Sequence, residues 1–491
     1  MMAVLSDILK DVEHRLVRGE AGVSIRGIQF DSRRVQAGDV FVAVSGTHVD
    51  GRRFIGQAVD SGAVAVITDD VAALDALPSA VAVVQTEAPG RKLGLMAANF
   101  YGHPSDALTV VGVTGTNGKT TVATVLYRLF TRLGMKCGLL STVRYMVGER
   151  EFPATHTTPD PVRLQELMAM MVSEGCQYCF MEVSSHAVDQ DRIAGIRFAA
   201  GIFTNITHDH LDYHKTFAEY LKAKKKFFDN LSPDSYAITN VDDKNGMVML
   251  QNTRATRVTY ALRTMADFKC RVIEKHIDGM ELDVNGSDVW THFSGVFNAY
   301  NLTAVYAAAV RLGADSYAVL LHLSELHPVD GRFEIIRSPD GKFAIVDYAH
   351  TPDALKNVLQ SIDEVRADSA KIIAVVGAGG DRDKSKRPEM ATEAASRCDH
   401  LILTSDNPRS EEPEQIITDM EAGLSVAQKQ RTLAVCSRRE AIKTACMLAK
   451  PGDIILIAGK GHENYQEIKG VKHHFDDRET VREIFGINAT N

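Results

Sequence analysis

The chain has 491 residues, enough for about three domains at roughly 150 residues each. Hydrophobic residues make up 45% and charged residues 24%, a balance that excludes a disordered or collagen-like chain. With 55 Lys and Arg against 63 Asp and Glu, the formal net charge is −8; a general nucleic-acid or anionic-membrane binder is not expected, and any bound anion must be held by local basic groups.

The seven cysteines are an odd number in a long chain, which argues against a disulfide framework and for a reducing compartment. Cys176 and Cys179 form one C-x-x-C inside an apolar stretch and read as buried structural thiols rather than a zinc or redox pair. The N-terminus has no basic region followed by an apolar core, and no run approaches the ~18 apolar residues of a membrane helix. A cytoplasmic protein without a transmembrane segment is expected.

In chain order, residues 40–44, 63–67 and 81–84 read as short strands of a first α/β unit, and 101–106 as a linker. Residues 108–113 form an apolar, β-branched run, as in a buried parallel strand, followed by a Gly-rich turn and a helix over 120–133. Strands at 178–183, 200–205 and 236–239 alternate with helices at 161–173 and 217–230, which implies a parallel α/β sheet. Residues 254–296 read as short antiparallel strands, and 297–312 as an Ala-rich helix stopped by Gly313. A second doubly wound sheet begins near Asp330, with strands at 343–347, 371–376, 400–404, 432–436 and 453–458 and helices at 353–365 and 413–424. Ligands of such sheets gather beyond the carboxyl ends of the strands.

The strongest local signal is Thr114-Gly-Thr-Asn-Gly-Lys-Thr-Thr121, after a strand and opening a helix, the context a phosphate loop requires. Gly115 and Gly118 free backbone N–H groups to surround phosphate oxygens, Lys119 supplies a point charge, and Thr120 offers a hydroxyl to Mg²⁺. The usual pattern wants a glycine where Val113 stands; Gly112 misses by one. Glu182 falls at a strand end, where a metal-binding acid would sit, although a lone strand-end Glu is commonplace. His208, Asp209, His210, Asp212 and His214 crowd one segment. The spacing of His208 and His210 is poor for two zinc ligands on a helical face, so a His and an Asp near nucleotide and Mg²⁺ are favoured. Lys222 and Lys224 to Lys226 form a basic run, a solvated face except where Lys224 is concerned. Three loops follow strands of the last sheet: Gly377-Ala-Gly-Gly-Asp-Arg-Asp-Lys384, Asp406-Asn-Pro-Arg409 and Gly459-Lys-Gly-His-Glu463. The first has Arg382 where a dinucleotide fingerprint needs its third glycine, which suits an anion loop better than NAD. Arg409 could clamp a carboxylate, and Glu463 suits an ammonium; each alone could be an ordinary solvated turn.

Together these residues resemble the Mur ligase family, the ATP-dependent amide-forming enzymes of peptidoglycan synthesis. The resemblance runs in order along nearly the whole chain through Asp31-Ser-Arg33, Gly38–Ala43, Asp50-Gly51, the phosphate loop, Glu182-Val-Ser-Ser-His186, Asp209–Asp212, Asn298 with Asn301, Gly331-Arg332 and Asp347–Pro352. It implies an N-terminal α/β uridine-nucleotide-binding domain (1–102), a central P-loop ATPase-like parallel sheet (103–330) and a C-terminal Rossmann-like amino-acid-binding domain (331–491). Asp-Asn-Pro-Arg is similar to the signature of members that add meso-diaminopimelate, whose far end carries a carboxylate that lysine lacks.

The resemblance further implies ATP as co-substrate, Mg²⁺, and UDP-MurNAc-L-Ala-D-Glu and meso-diaminopimelate as the other substrates; a monomer is expected. It assigns ATP to Gly115, Thr116, Asn117, Gly118, Lys119, Thr120, Thr121, Asn301, Arg332, Asp347 and His350. It assigns the UDP-substrate to Phe30, Ser32, Thr47, His48, Val49, His156, Thr157, Thr158, Ser184, Gln190 and Arg192. Diaminopimelate falls to Arg382, Asp406, Asn407, Pro408, Arg409, Gly459 and Glu463. Lys119, Glu182, His210 and Lys224 would be the catalytic set, with Thr120, Glu182, His210 and a carbamylated Lys224 holding metal. A switch or motor ATPase, a folylpolyglutamate synthase and a non-catalytic nucleotide-binding module are the rivals. The first would hydrolyse ATP without the other substrates, the second lacks a uridine-binding unit, and the third needs no metal acid and specificity Arg on separate sheets.

Overall fold

The computed structural model describes residues 2–487 apart from Thr47, His48, Ala73, Asp75 and Ala76. Of the residues assigned to the UDP-substrate, Thr47 and His48 therefore lie outside the described residues.

Three large sheets follow one another along the chain. The first has five strands in the order Arg15–Arg18, Ala82–Gln85, Ala65–Thr68, Asp39–Val42 and Gly27–Gln29, parallel except for the antiparallel edge strand Arg15–Arg18. The stretch read as a linker is a compact connection. Tyr101 ends the helix Pro89–Tyr101, Gly102 caps it at φ +72°, and Pro104–Asp106 makes one 3₁₀ turn.

The central sheet has eleven strands among the described residues. Strand Thr109–Thr114 lies between Tyr178–Glu182 and Phe198–Phe203, parallel to both. Its side chains alternate between two apolar layers. Val111 and Val113 pack with the helices Lys119–Arg132 and Val296–Arg311, and Val110 packs with Pro161–Ser173 and Phe217–Asp229. Burial on both faces is why this strand is apolar throughout rather than alternating. The expectation for 254–296 is corrected: Thr256–Ala261 and the start of Phe268–His276 extend the parallel sheet. Only the later pairings, with Gly279–Val284 and Ser287–Thr291, are antiparallel. Val258 and Tyr260 face the core, so the alternation in this segment reports one-sided burial and says nothing of strand direction.

The third sheet runs Glu334–Arg337, Phe343–Asp347, Ile454–Ala458, Ile372–Ala378, His400–Ser405, Thr432–Ala434, parallel beyond its first strand and lined by apolar layers on both faces. Because Ile454–Ala458 returns between Phe343–Asp347 and Ile372–Ala378, loops distant in sequence become neighbours at the carboxyl edge.

All seven cysteines are free thiols, and burial pushes Cys176 and Cys179 above the ordinary thiol range. No helix among the described residues is long and apolar enough to cross a membrane.

Candidate active site

One cleft of about 840 Å³ lies between the central and C-terminal sheets and is lined from both. Its central wall includes residues 116–121, Glu182, Ser184, His210, Lys224 and Asn301; its other wall includes Arg332, Asp347, His350, Arg382, Asp406, Asn407, Arg409, Gly459 and Glu463. His156, Thr157, Thr158 and Arg192 complete the central side. The two walls touch: Arg332 NH2 donates to Thr120 Oγ1 at 3.1 Å, and Asn117 Nδ2 to Asp353 Oδ2 at 3.3 Å. Gly115, Gln190 and Pro408 do not line this cleft, nor do Phe30, Ser32 and Val49 of the first sheet's unit.

The phosphate-loop backbone explains its glycines. Gly118 has φ +88°, and a Cβ there would overlap Asn301 Oδ1; Gly115 has φ +154°, and a Cβ would overlap Thr204 Oγ1. Asn117 is fixed from both sides, its N–H donating to Asn205 Oδ1 at 3.0 Å and its carbonyl accepting from Thr204 Oγ1 at 2.6 Å. Lys119 Nζ donates to the carbonyls of Gly115 and Thr116, both at 2.9 Å, and burial lowers its pKa. Gly112 is no displaced loop glycine. It sits inside the strand, where a Cβ would press on Phe227, Phe198 and Val183.

Glu182 is wholly buried at its strand end. Its Oε1 accepts from the Thr142 N–H at 2.7 Å, and its Oε2 has no hydrogen-bond partner. A buried carboxylate oxygen left bare is costly unless a cation meets it. His210, at φ +53°, has its pKa pushed down to about 3, first by burial, so its imidazole is neutral and has a lone pair to offer. Among the described residues no three His, Cys, Asp or Glu side chains converge into a metal cage. This donor set fits Mg²⁺, which takes one or two protein ligands plus substrate oxygens. Lys224 is 1% exposed, and its Nζ donates to the Gly115 carbonyl at 2.8 Å. Burial, with Lys119 beside it, drives its pKa well below the usual lysine range.

Thr158 and Ser184 interlock on the floor beside Glu182: Thr158 Oγ1 donates to the Glu182 carbonyl at 2.9 Å and accepts from the Ser184 N–H at 3.1 Å. Arg192 is held by Gln190 Oε1 at 2.7 and 2.9 Å and by the Thr158 carbonyl at 3.2 Å. Tyr213 anchors Gln190 in turn, accepting from its Nε2 at 3.1 Å and donating to Asp189 at 2.7 Å. His156 lies against Tyr145, whose hydroxyl donates to its carbonyl at 2.6 Å.

At the other wall Arg409 stands at φ +52°, with NH1 donating to the Gly380 carbonyl at 2.7 Å. Its backbone is pinned by a hairpin, Tyr465–Ile468 with Val471–His474, through Arg409 N to the Glu467 carbonyl at 3.0 Å. Arg387, 1% exposed, bridges Glu411 and Asp419 and ties the loops that carry Arg382 and Arg409. The sequence reading missed this hairpin and the roles of Arg387, Lys386, Lys460, Thr142 and Tyr213. Arg387 and Lys460 lie within or beside the singled-out loops; Thr142 acts through its backbone and leaves no signal.

Comparison with known proteins places this geometry. Family models match in chain order: "Mur ligase family, catalytic domain" over residues 24–103, "Mur ligase middle domain" over 113–309, and "Mur ligase, glutamate ligase domain" over 331–461. A protein of Parabacteroides distasonis named UDP-N-acetylmuramoyl-L-alanyl-D-glutamate--2,6-diaminopimelate ligase is 57% identical over 98% of this chain and 99% of its own length. A Bacteroides thetaiotaomicron protein of the same name is 54% identical over 98% of this chain and all of its own. A solved structure titled as that ligase has a TM-score of 0.68 at 32% identity and covers 99% of both chains.

Proposed function

The chain belongs to the Mur ligase family, and from that premise we propose that it joins meso-diaminopimelate to the D-glutamyl γ-carboxylate of UDP-MurNAc-L-Ala-D-Glu, using ATP, in cytoplasmic peptidoglycan precursor synthesis. The observation that carries this reading is a single cleft with a phosphate loop on one wall and Arg409 with Glu463 on the other. A hydrolase or switch protein needs no site for a zwitterionic amine opposite its nucleotide.

The three sheets correspond to domains 1–102, 103–330 and 331–491, which take the uridine nucleotide, ATP and the amino acid respectively. Phe30, Ser32 and the 47–49 segment hold the uridine end. Thr157, Thr158, Ser184, Gln190 and Arg192 hold the peptide; His156 is positioned to join them by its backbone contact with Tyr145. The γ-carboxylate attacks the γ-phosphorus of ATP, giving an acyl phosphate and ADP. The amine of diaminopimelate adds to the acyl carbon, and the tetrahedral intermediate collapses to amide, phosphate and a proton.

Such a transfer is mostly positioning and charge neutralisation. Lys119 must turn from the loop carbonyls it now meets toward the β and γ phosphates, and Arg332, already at Thr120, is placed to follow. Glu182, His210 and Thr120 would hold Mg²⁺, which when bound neutralises phosphate charge. Asp347, His350 and Asn301 complete the nucleotide's surroundings. Burial favours the neutral form of the Lys224 amine, the form that adds to CO₂ with loss of a proton, and the resulting carbamate would supply a second anionic ligand. Labelled bicarbonate should then give a carbamate NMR signal that Lys224→Ala lacks. The protein acts as a monomer, which sedimentation tests.

The deciding experiment is phosphate release. It should require the UDP-dipeptide together with diaminopimelate, and lysine should substitute poorly. Lysine has no second carboxylate for the Arg409 guanidinium to meet, so it forgoes that charge-assisted contact. ATP hydrolysis without either co-substrate, or equal use of lysine, would overturn the reading.

A further inference from the structure

Lys460 lies two residues beyond strand Ile454–Ala458 and is wholly buried. Its ammonium is 3.2 Å from Asn407 Oδ1, 3.2 Å from Glu463 Oε2 and 3.6 Å from Asp406 Oδ1. It also stands 5.4 Å from the centre of the Tyr465 ring. Asn407 Nδ2 donates to the same Glu463 oxygen at 2.7 Å, and the Tyr348 hydroxyl to its other oxygen at 3.4 Å. Asn407 Oδ1 further accepts from the Glu467 N–H at 2.9 Å. The acid and amide groups around this lysine are thus the ones that face the amino-acid end of the cleft, while the lysine stands behind them, out of reach of solvent.

We propose that Lys460 is a positioning residue, a built-in counter-cation that offsets the charge of Asp406 and Glu463 and fixes Glu463 and Asn407 in one orientation toward the ammonium group of the amino-acid substrate. The inference rests on the reading of these loops as the diaminopimelate site. Each carboxylate meets the Lys460 ammonium, which offsets their like charge and holds them in place. Other charged or titratable groups face the pair: Arg409 and Glu467 from the flanking loop and hairpin, Arg438 from the helix Arg438–Leu448, and the phenols Tyr348 and Tyr465. Among the described residues only Lys460 forms an ion pair with either carboxylate. Arg409, on the same loop as Asp406, is then left to meet the substrate carboxylate. The two ends of a zwitterion are sorted by which acids carry a resident cation and which arginine does not depend on them.

The test is Lys460→Met, close in volume and uncharged. Its KM for diaminopimelate should rise at least about tenfold, the scale expected when a buried charge partner is removed. The KM values for ATP and the UDP-dipeptide should stay within about twofold. A lysine that only fills space would leave this KM unchanged, since methionine keeps the volume. Lys460→Gln, which keeps a donor for Asn407 without charge, should show the same selective rise and guards against misfolding of the methionine variant. A KM for diaminopimelate unchanged in both variants, or raised equally with those of the other substrates, would overturn the inference alone. Absence of any diaminopimelate-dependent phosphate release from the unmodified protein would overturn the reading of the site and the inference with it.

Discussion

Lys386, on the first turn of a helix in the C-terminal sheet's unit, donates to Asp209 Oδ1 of the central unit at 2.5 Å, with both side chains largely buried. Asp209 in turn accepts from the backbone N–H of His210 at 2.8 Å. Burial works to raise the Asp209 carboxyl, and His210, Lys386 and His350 together pull it below the ordinary carboxylate range. An ion pair between the two walls thus ends on the residue that sets the position of a candidate metal-binding histidine.

Lys386→Met should therefore loosen the contact between the walls. Removing one partner of a buried pair leaves the other charge uncompensated, at about 3–5 kcal/mol. The cost can be relieved by opening the cleft, so small-angle scattering with ATP and the UDP-dipeptide should show less compaction than for the unmodified protein. kcat should fall more than the KM for ATP rises, since the phosphate loop itself is intact. Equal compaction with unchanged kcat would remove this pair from the account of closure.

Glu182→Gln should separate metal binding from folding. The amide oxygen can still accept from Thr142, and the unpartnered Oε2 becomes a neutral group. The melting temperature should hold or rise, while phosphate release should drop by about a hundredfold or more. That is the scale of a cation neutralising charge in a transition state. Raising Mg²⁺ should not restore it. Thermal melting and a Mg²⁺ titration of the rate together check this.

Asp347 gives a pH dependence with a definite sign. Its pKa is raised to about 6, first by burial, against the lowering effects of Arg332 and the backbone N–H groups of Phe333 and Ala349. A raised carboxyl favours folding when protonated. That contribution is complete below the unfolded-state value near 3.8 and is lost as pH climbs through about 6. Asp347→Asn, which can still accept from Phe333 N–H, should thus be more stable than the unmodified protein at pH 8, by up to about 3 kcal/mol. The gap should shrink toward pH 5. Urea midpoints at the two pH values test it, and a gap that widens on acidification would contradict the assignment of burial as the dominant cause.

The sequence carried most of the frame because burial on both faces of a sheet leaves continuous apolar runs, as at Val110, Val111 and Val113. The loops after those runs, with their Gly, Lys, Asp and Arg, could be located because each follows an apolar run, and the structure brings them to one cleft. Strand direction was not legible. Val258 and Tyr260 alternate inward whether their neighbour runs parallel or antiparallel, which is why 254–296 was misread. Contacts made by backbone, such as Thr142 to Glu182 and Glu467 to Arg409, write nothing into residue identity. The ion pairs Lys386–Asp209 and Arg387–Glu411 join residues separated by 177 and 24 positions, and only folding reveals them.

Arg438 and Asp477 offer the sharpest test of how the loops at the carboxyl edge of the third sheet are supported. Both are wholly buried; Arg438 Nε and NH2 donate to the two carboxylate oxygens at 2.7 Å each, and NH2 also donates to the Ala458 carbonyl at 2.9 Å. NH1 has no partner, so the guanidinium already lacks full compensation. Asp477→Ala should destabilise by about 3–5 kcal/mol, because it strands the charge. Replacing both residues with apolar side chains of similar volume should cost much less, since no buried charge remains. Ala458 directly precedes Gly459 and Lys460, so a displacement of Arg438 bears on the loop proposed to hold the amino acid. The single variant should raise the KM for diaminopimelate more than that for ATP at temperatures where it remains folded. Urea unfolding of the single and double variants, with both KM values, decides the point: a double variant as unstable as the single would mean that packing, and not the stranded charge, sets the cost.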